Sequence, residues 1–219
     1  MKIDIHRHAE DSGTAMRVIR NLFHDQLLEI ESKKYYSIGL HPWHVKAKSL
    51  NSDIKKLEVA AEDPRVIAIG ETGLDKSIKI PFELQLKAFS AQVKIATALN
   101  KPIIIHCVRA YNDIFLLRLE SEHKKPWIIH WFNASQQMGE QLISKNFYLS
   151  FGHMLFSTKS KAYQAFSKLP TDRIFLETDD AGYTIDDIYG QAAMLKGITI
   201  PRLEKQIESN FLNCFEVKP

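Results

Sequence analysis

A chain of 219 residues, 45% hydrophobic and 25% charged, has ordinary globular composition and the length of one generous domain or two small ones. Its two cysteines, Cys107 and Cys214, exclude a disulfide framework and favour a reducing compartment, and no apolar run reaches the roughly 18 residues that span a bilayer. The formal net charge of +3 permits an anionic ligand, but the short clusters Lys33-Lys34, Lys55-Lys56 and Lys124-Lys125 read as solvated patches, not as the concentrated stripe of a nucleic-acid footprint.

The N-terminus, Met1-Lys2-Ile3-Asp4-Ile5-His6, carries no apolar signal-peptide segment, so the expected location is cytoplasmic. Strands are predicted over 2–5, 17–19, 35–38 and 66–69, most of them nearly continuous in apolar character, as strands buried on both faces should be. The clearest helix covers 81–99. Phe82, Leu86, Phe89, Val93, Ala96 and Leu99 recur there at helical spacing, with Pro81 as a first helical residue. Strands over 103–105, 127–129, 147–150 and 173–176 then alternate with helices over 110–120, 135–145 and 160–168, and helices over 185–195 and 201–215 close the chain. Such alternation predicts βα units on a parallel sheet: an α/β, TIM-like (β/α)8 barrel, compact for that fold. The stretch 9–36 is too short for two full βα units, so a shortened early unit is expected. With no repeat, linker or low-complexity tract, residues 1–219 read as a single domain.

Five of the nine histidines fall at or just after predicted strand ends: His6, His8, His41, His106 and His130. Glu71 follows the fourth strand and Asp179 the last. In a barrel the carboxyl ends of all strands share one face, so residues distant in sequence meet there. Period-two geometry also puts His6 and His8 on one side of an extended segment. His6, His8, Glu71, His106, His130 and Asp179 would then form a mixed nitrogen and oxygen cluster suited to divalent Zn, Mn, Fe or, less well, Mg. Six donors exceed the needs of one tetrahedral ion with an open position, and suffice for two with a bridging carboxylate. His24 and His123, in polar surroundings, are expected at the surface.

The motifs Asp4-Ile5-His6-Arg7-His8, Gly39-Leu40-His41-Pro42, Gly70-Glu71-Thr72-Gly73-Leu74-Asp75, Ile105-His106, His130-Trp131-Phe132 and Glu177-Thr178-Asp179 resemble, in that order, those of the TatD family of metal-dependent deoxyribonucleases. That family lies within the amidohydrolase-like metal-hydrolase superfamily, and the resemblance covers nearly the whole chain. It implies a binuclear site: His6, His8 and Asp179 on one ion, Glu71 bridging, and His106 and His130 on the other. The implied cofactors are two divalent ions (Mg, Mn or Zn), and the implied reaction is phosphodiester hydrolysis of DNA. The chain departs from the family pattern beside the ligands. Ala9-Glu10-Asp11 follows the first histidine pair. Arg109 stands one place late in His106-Cys107-Val108-Arg109-Ala110. His130-Trp131-Phe132-Asn133-Ala134 replaces H-x-F-x-G.

For that reaction the expected catalytic residues are Asp179, as general base, and Glu71, which fixes the metal separation. His41 and Arg109 are the expected substrate-binding residues, with loop packing and a helix-surface position as their alternatives. Trp43, Trp131 and Tyr183 either stack on bases or pack at the rim. Glu177 either partners a histidine or forms a buried salt bridge. Two other readings keep the barrel: hydrolysis of a small phosphoester, lactone or amide, and a non-catalytic binding module with structural metals. No membrane and no obligate protein partner is expected.

Overall fold

Ile- and Val-rich runs become strands because their side chains are apolar on both faces and their β-branched carbons suit a pleated backbone. The computed structural model describes residues 1–8, 16–23 and 34–217. Its strands are β1 (Lys2–Arg7), β2 (Met16–Phe23), β3 (Tyr35–Gly39), β4 (Val66–Asp75), β5 (Ile103–Val108), β6 (Trp127–Ile129), β7 (Phe147–Phe151) and β8 (Ile174–Leu176). Its helices are α1 (Leu50–Ala61), α2 (Phe82–Ala98), α3 (Tyr111–Glu120), α4 (Gln136–Ile143), α5 (Lys161–Phe166), α6 (Ile185–Lys196) and α7 (Ile200–Phe215). The strands follow one another in the sheet in chain order, and the described registers are parallel. No helix among the described residues is long and apolar enough to cross a membrane.

The chain divides into two compact units, Met1–Arg20 with His130–Pro219, and Asn21–Ile129. In the first, β1 pairs with the start of β2 and β7 with β8. The first and last strands adjoin where the Asp179 N–H donates to the His6 carbonyl at 3.0 Å. Polar side chains of two helices tie down this edge. The Tyr189 hydroxyl of α6 both accepts from the Ile3 N–H (3.0 Å) and donates to the Ile3 carbonyl (3.1 Å). Asn210 of α7 donates to the Ile174 carbonyl at 2.8 Å.

In the second unit β3 to β6 form a continuous ladder. All ten residues of β4 are buried. Two glycines in this strand allow β5 to approach. A Cβ on Gly73 (φ 153°) would lie 1.9 Å from the His106 carbonyl oxygen, and one on Gly70 (φ 152°) would lie 2.5 Å from that of Ile104. Both φ values are ones that residues with side chains rarely adopt.

Three sequence expectations change here. Helix α1 went unpredicted, because its buried stripe, Asp53, Leu57 and Ala61, is narrow and contains an acid. The α2 face is rotated from the apolar count: Gln85, Ala88, Phe89, Gln92, Ile95 and Ala96 are buried, and Pro81 caps the helix from outside it. His123 is buried, not at the surface. Its Nδ1 accepts from the Trp127 indole at 3.0 Å and its Nε2 lies 2.9 Å from the Lys101 carbonyl, so its polar sequence neighbours were misleading. The expected early-helix shortening falls on 9–15 and 24–33, and His24 falls there too, outside the described residues.

Candidate metal centre

In the second unit, Glu71 sits in the middle of β4. His106 lies on β5, where it pairs with Gly73. The missing Cβ of Gly73 brings the two strands into register, and His106 Nδ1 comes within 2.9 Å of Glu71 Oε1. The other ring nitrogen, Nε2, is 3.2 Å from Asp75 Oδ2. His41 follows β3 and places its Nε2 at 3.3 Å from Glu71 Oε1. Donor atoms of His41, Glu71 and His106 lie within 4.8 Å of one another.

His41 Nδ1 accepts the Trp43 N–H at 3.2 Å. The neutral ring therefore carries its proton on Nε2, the atom that faces Glu71. Burial above all holds His41 below the usual histidine range, so the neutral form is favoured. His41 is thus built as a hydrogen-bond donor, whereas a metal ligand would need a lone pair at that nitrogen.

Asp75 is a residue that the sequence reading left out of the site. It is 1% exposed. Burial works against its charge, but donors outweigh that: the Ser77 hydroxyl and N–H, the Trp43 indole N–H at 2.8 Å, and His106 hold it at about 2. Its signal was its place in Gly70-Glu71-Thr72-Gly73-Leu74-Asp75, an even number of residues past Glu71 on an extended strand. Two buried glutamines of α2 fix the framework. Gln85 accepts from the Asp75 N–H (2.8 Å) and donates to its carbonyl (3.0 Å). Gln92 does the same for Leu40, the residue before His41 (2.8 and 3.1 Å).

In the first unit, His6 and His8 lie at the end of β1, His130 directly after β6, and Asp179 three residues past β8. Asp179 Oδ1 is 3.8 Å from His6 Nε2 and 3.5 Å from His8 Nε2. The His6 and His130 rings are 4.1 Å apart. Two triplets have donor atoms within 4.8 Å of one another: His6, His130 and Asp179, and His8, Asp179 and Asp180. His130 thus groups with His6 and Asp179, and His106 with Glu71. Arg109 is exposed at φ 55°, one residue past β5.

Two acids support these groups. Glu177, 1% exposed, brings Oε1 to 3.1 Å from His130 Nδ1 and accepts the Trp131 N–H at 2.6 Å. Burial raises its pKa, but the charge and hydrogen bond of His130, with His6, win and hold it below the ordinary glutamate value. Asp4, fully buried, accepts from the Thr178 N–H (3.1 Å) and hydroxyl (2.6 Å). Burial is its dominant influence and pushes its carboxyl up to about 6 despite those donors. Asp4 thereby pins the residue next to Asp179, whose own backbone is left-handed at φ 51°.

Residues 4–216 match the family model described as TatD related DNase. The chain belongs to the TatD-related DNase family. Membership places it among metal-dependent hydrolases, and both donor sets contain the imidazoles and carboxylates that divalent metals need. It is 34% identical over 149 residues to YabD, an uncharacterized metal-dependent hydrolase of Bacillus subtilis, covering 66% of this chain and 58% of that one, less than two thirds of its length. It is 27% identical to BU355, an uncharacterized metal-dependent hydrolase of Buchnera aphidicola, over 99% of this chain and 90% of that one. The crystal structure of YjjV, a TatD homolog from Escherichia coli, superposes with a TM-score of 0.87 at 22% identity, covering 99% of this chain and 98% of that one. That likeness shows the fold: a TIM-like α/β barrel of eight parallel strands.

Proposed function

We propose that this TatD-family chain is a single hydrolase domain that cleaves phosphodiester bonds of DNA with two divalent ions, Mg, Mn or Zn, in the cytoplasm. The observation that carries the reading is the composition of each donor set. His6, His130 and Asp179 offer two imidazoles and a carboxylate, and His106 with Glu71 adds one imidazole and one carboxylate. Neither contains a thiolate, and a purely structural site would have no use for the spare acids. In the proposed assignment His6, His130 and Asp179, with His8, would hold one ion, and His106 with Glu71 the other.

When bound, the ions supply Lewis acidity that lowers the pKa of water and offsets phosphoryl charge. Asp179 orients the attacking water and accepts its proton as general base. The His41 Nε2–H, which lies 3.3 Å from Glu71, would leave that contact to donate to a non-bridging phosphoryl oxygen. Arg109, exposed beyond β5, supplies a charge-assisted contact to the substrate backbone. Asp75 holds the remaining ring nitrogen of His106, and Glu177 that of His130, so both imidazoles keep one tautomer and one orientation.

The test is hydrolysis of single-stranded DNA beside a panel of small phosphoesters and lactones, with and without EDTA. The expected result is metal-dependent DNA cleavage that EDTA silences, and that Asp179→Ala lowers by about a thousandfold or more while circular dichroism is unchanged. Full activity in Asp179→Ala would reject the base. Turnover of a small ester with none of DNA would move the substrate class.

A further inference from the structure

Four rings gather beside the ligands of the first unit. Among the described residues Trp131 is 41% exposed, Tyr183 41% and Phe156 36%. His153 lies between them, 5.0 Å from the Trp131 ring and 6.2 Å from the Tyr183 ring, parallel to the latter within 5°. Phe156 stacks on Tyr183 at 4.4 Å and 14°. Trp131 stands edge-on to His153 at 65°, and the three exposed rings keep surface in water that an oily core contact would have covered.

The position of Trp131 is held at a cost. A bulky residue at φ 47° is rare, and the strain is offset by its N–H donating to the buried carboxylate of Glu177. That same carboxylate faces His130, whose ring is 6.0 Å from the indole. Tyr183 stands four residues past Asp179. The ring array is therefore anchored at both ends to proposed ligands. Lys159 and Lys161, three and five residues past Phe156 in the chain, are exposed.

We infer that Trp131, His153, Phe156 and Tyr183 form a stacking platform for the bases of single-stranded DNA next to the scissile phosphate. Aromatic faces accept any base, so the platform sets strand affinity without sequence preference. The inference rests on the phosphodiesterase reading for its ligand, and names the substrate form at that site: unpaired nucleotides, whose bases are free to leave a duplex stack.

The test compares two phosphorothioate-linked octamers in Mg2+ buffer by fluorescence anisotropy: octadeoxyadenylate and the same backbone without bases. The wild-type protein is expected to bind the base-bearing strand about tenfold more tightly, the loss of one or two stacked bases. Tyr183→Ala and Phe156→Ala should each bring the ratio towards one, while Tyr183→Phe, which keeps the ring and removes only the hydroxyl, should retain it. Equal wild-type affinity for both octamers overturns the platform, as does an unchanged ratio in both alanine variants. Base-dependent binding in a protein that cleaves no DNA would reject the phosphodiesterase reading and leave the platform standing. Cleavage without base dependence would reject the platform alone.

Discussion

In the unit Asn21–Ile129 the acids and imidazole hang on a long ladder: Glu71 and Asp75 share the ten-residue β4, and His106 pairs beside them on β5. In the other unit the comparable groups stand just past short strands. His130 follows the three-residue β6, and Asp179 follows the three-residue β8 with a left-handed backbone. The ladder orients its side chains by hydrogen bonds between strands. Past the strand ends the Asp179 N–H still donates to the His6 carbonyl, and buried carboxylates, Asp4 and Glu177, add further support. The ladder brings its donors close with glycine and neutral glutamines on its backbone, whereas the strand ends use charged side chains for that task.

The largest expected effect breaks the ladder. Gly73→Ala would drive a methyl group into the His106 carbonyl and should destabilise the protein by about 3 kcal/mol or more, read as a lowered urea midpoint. It should also part Glu71 from His106, so weaker metal binding is expected in the same variant.

The next effect probes the strand-end support through pH. The Asp4 carboxyl is pushed up to about 6 against an ordinary value of 3.8. A raised carboxyl favours folding most below its unfolded pKa, and that advantage is lost as pH rises from 3.8 through 6. Asp4→Asn should therefore flatten the fall in stability of the chelated protein between those limits, by an amount on the order of 3 kcal/mol relative to wild type. Parallel thermal-midpoint curves for the two proteins would refute the assignment.

Gln85→Leu returns to the ladder and leaves the buried N–H and carbonyl of Asp75 without their amide partner. A loss of about 2 kcal/mol is expected, together with faster amide exchange at Asp75. The smallest effect is Glu177→Gln, which preserves an acceptor for the Trp131 N–H but removes the charge facing His130. Metal affinity should fall about tenfold with little change in thermal stability, measured by competition with a chromophoric chelator. A larger loss here than at Gly73 would reverse the comparison between the two units.

The residue types of the donor clusters were readable in the sequence because their chemistry is local. His6, His8, His130 and Asp179 stand at or just past strand ends, whereas Glu71 and His106 proved to lie within longer strands than predicted, and strands announce themselves through runs such as Ile103-Ile104-Ile105. The supporting residues were harder to read. Asp75, Asp4 and the two α2 glutamines look like ordinary polar residues until their burial is known. Gln85 and Gln92 even displaced the predicted apolar face of α2, because two satisfied amides are as comfortable inside as leucines. The role of His41 turned on which ring nitrogen the Trp43 N–H had claimed, a matter of ångströms that no spacing in the chain encodes.

The order of motifs and the alternation of apolar runs by themselves determined the family, the barrel and the residue types available for metal. Tertiary structure decided which imidazole faces which acid, which carboxylates lose their water, and which rings stay exposed beside them. Composition and period act through neighbours in the chain, while desolvation and hydrogen-bond direction are properties of neighbours in space.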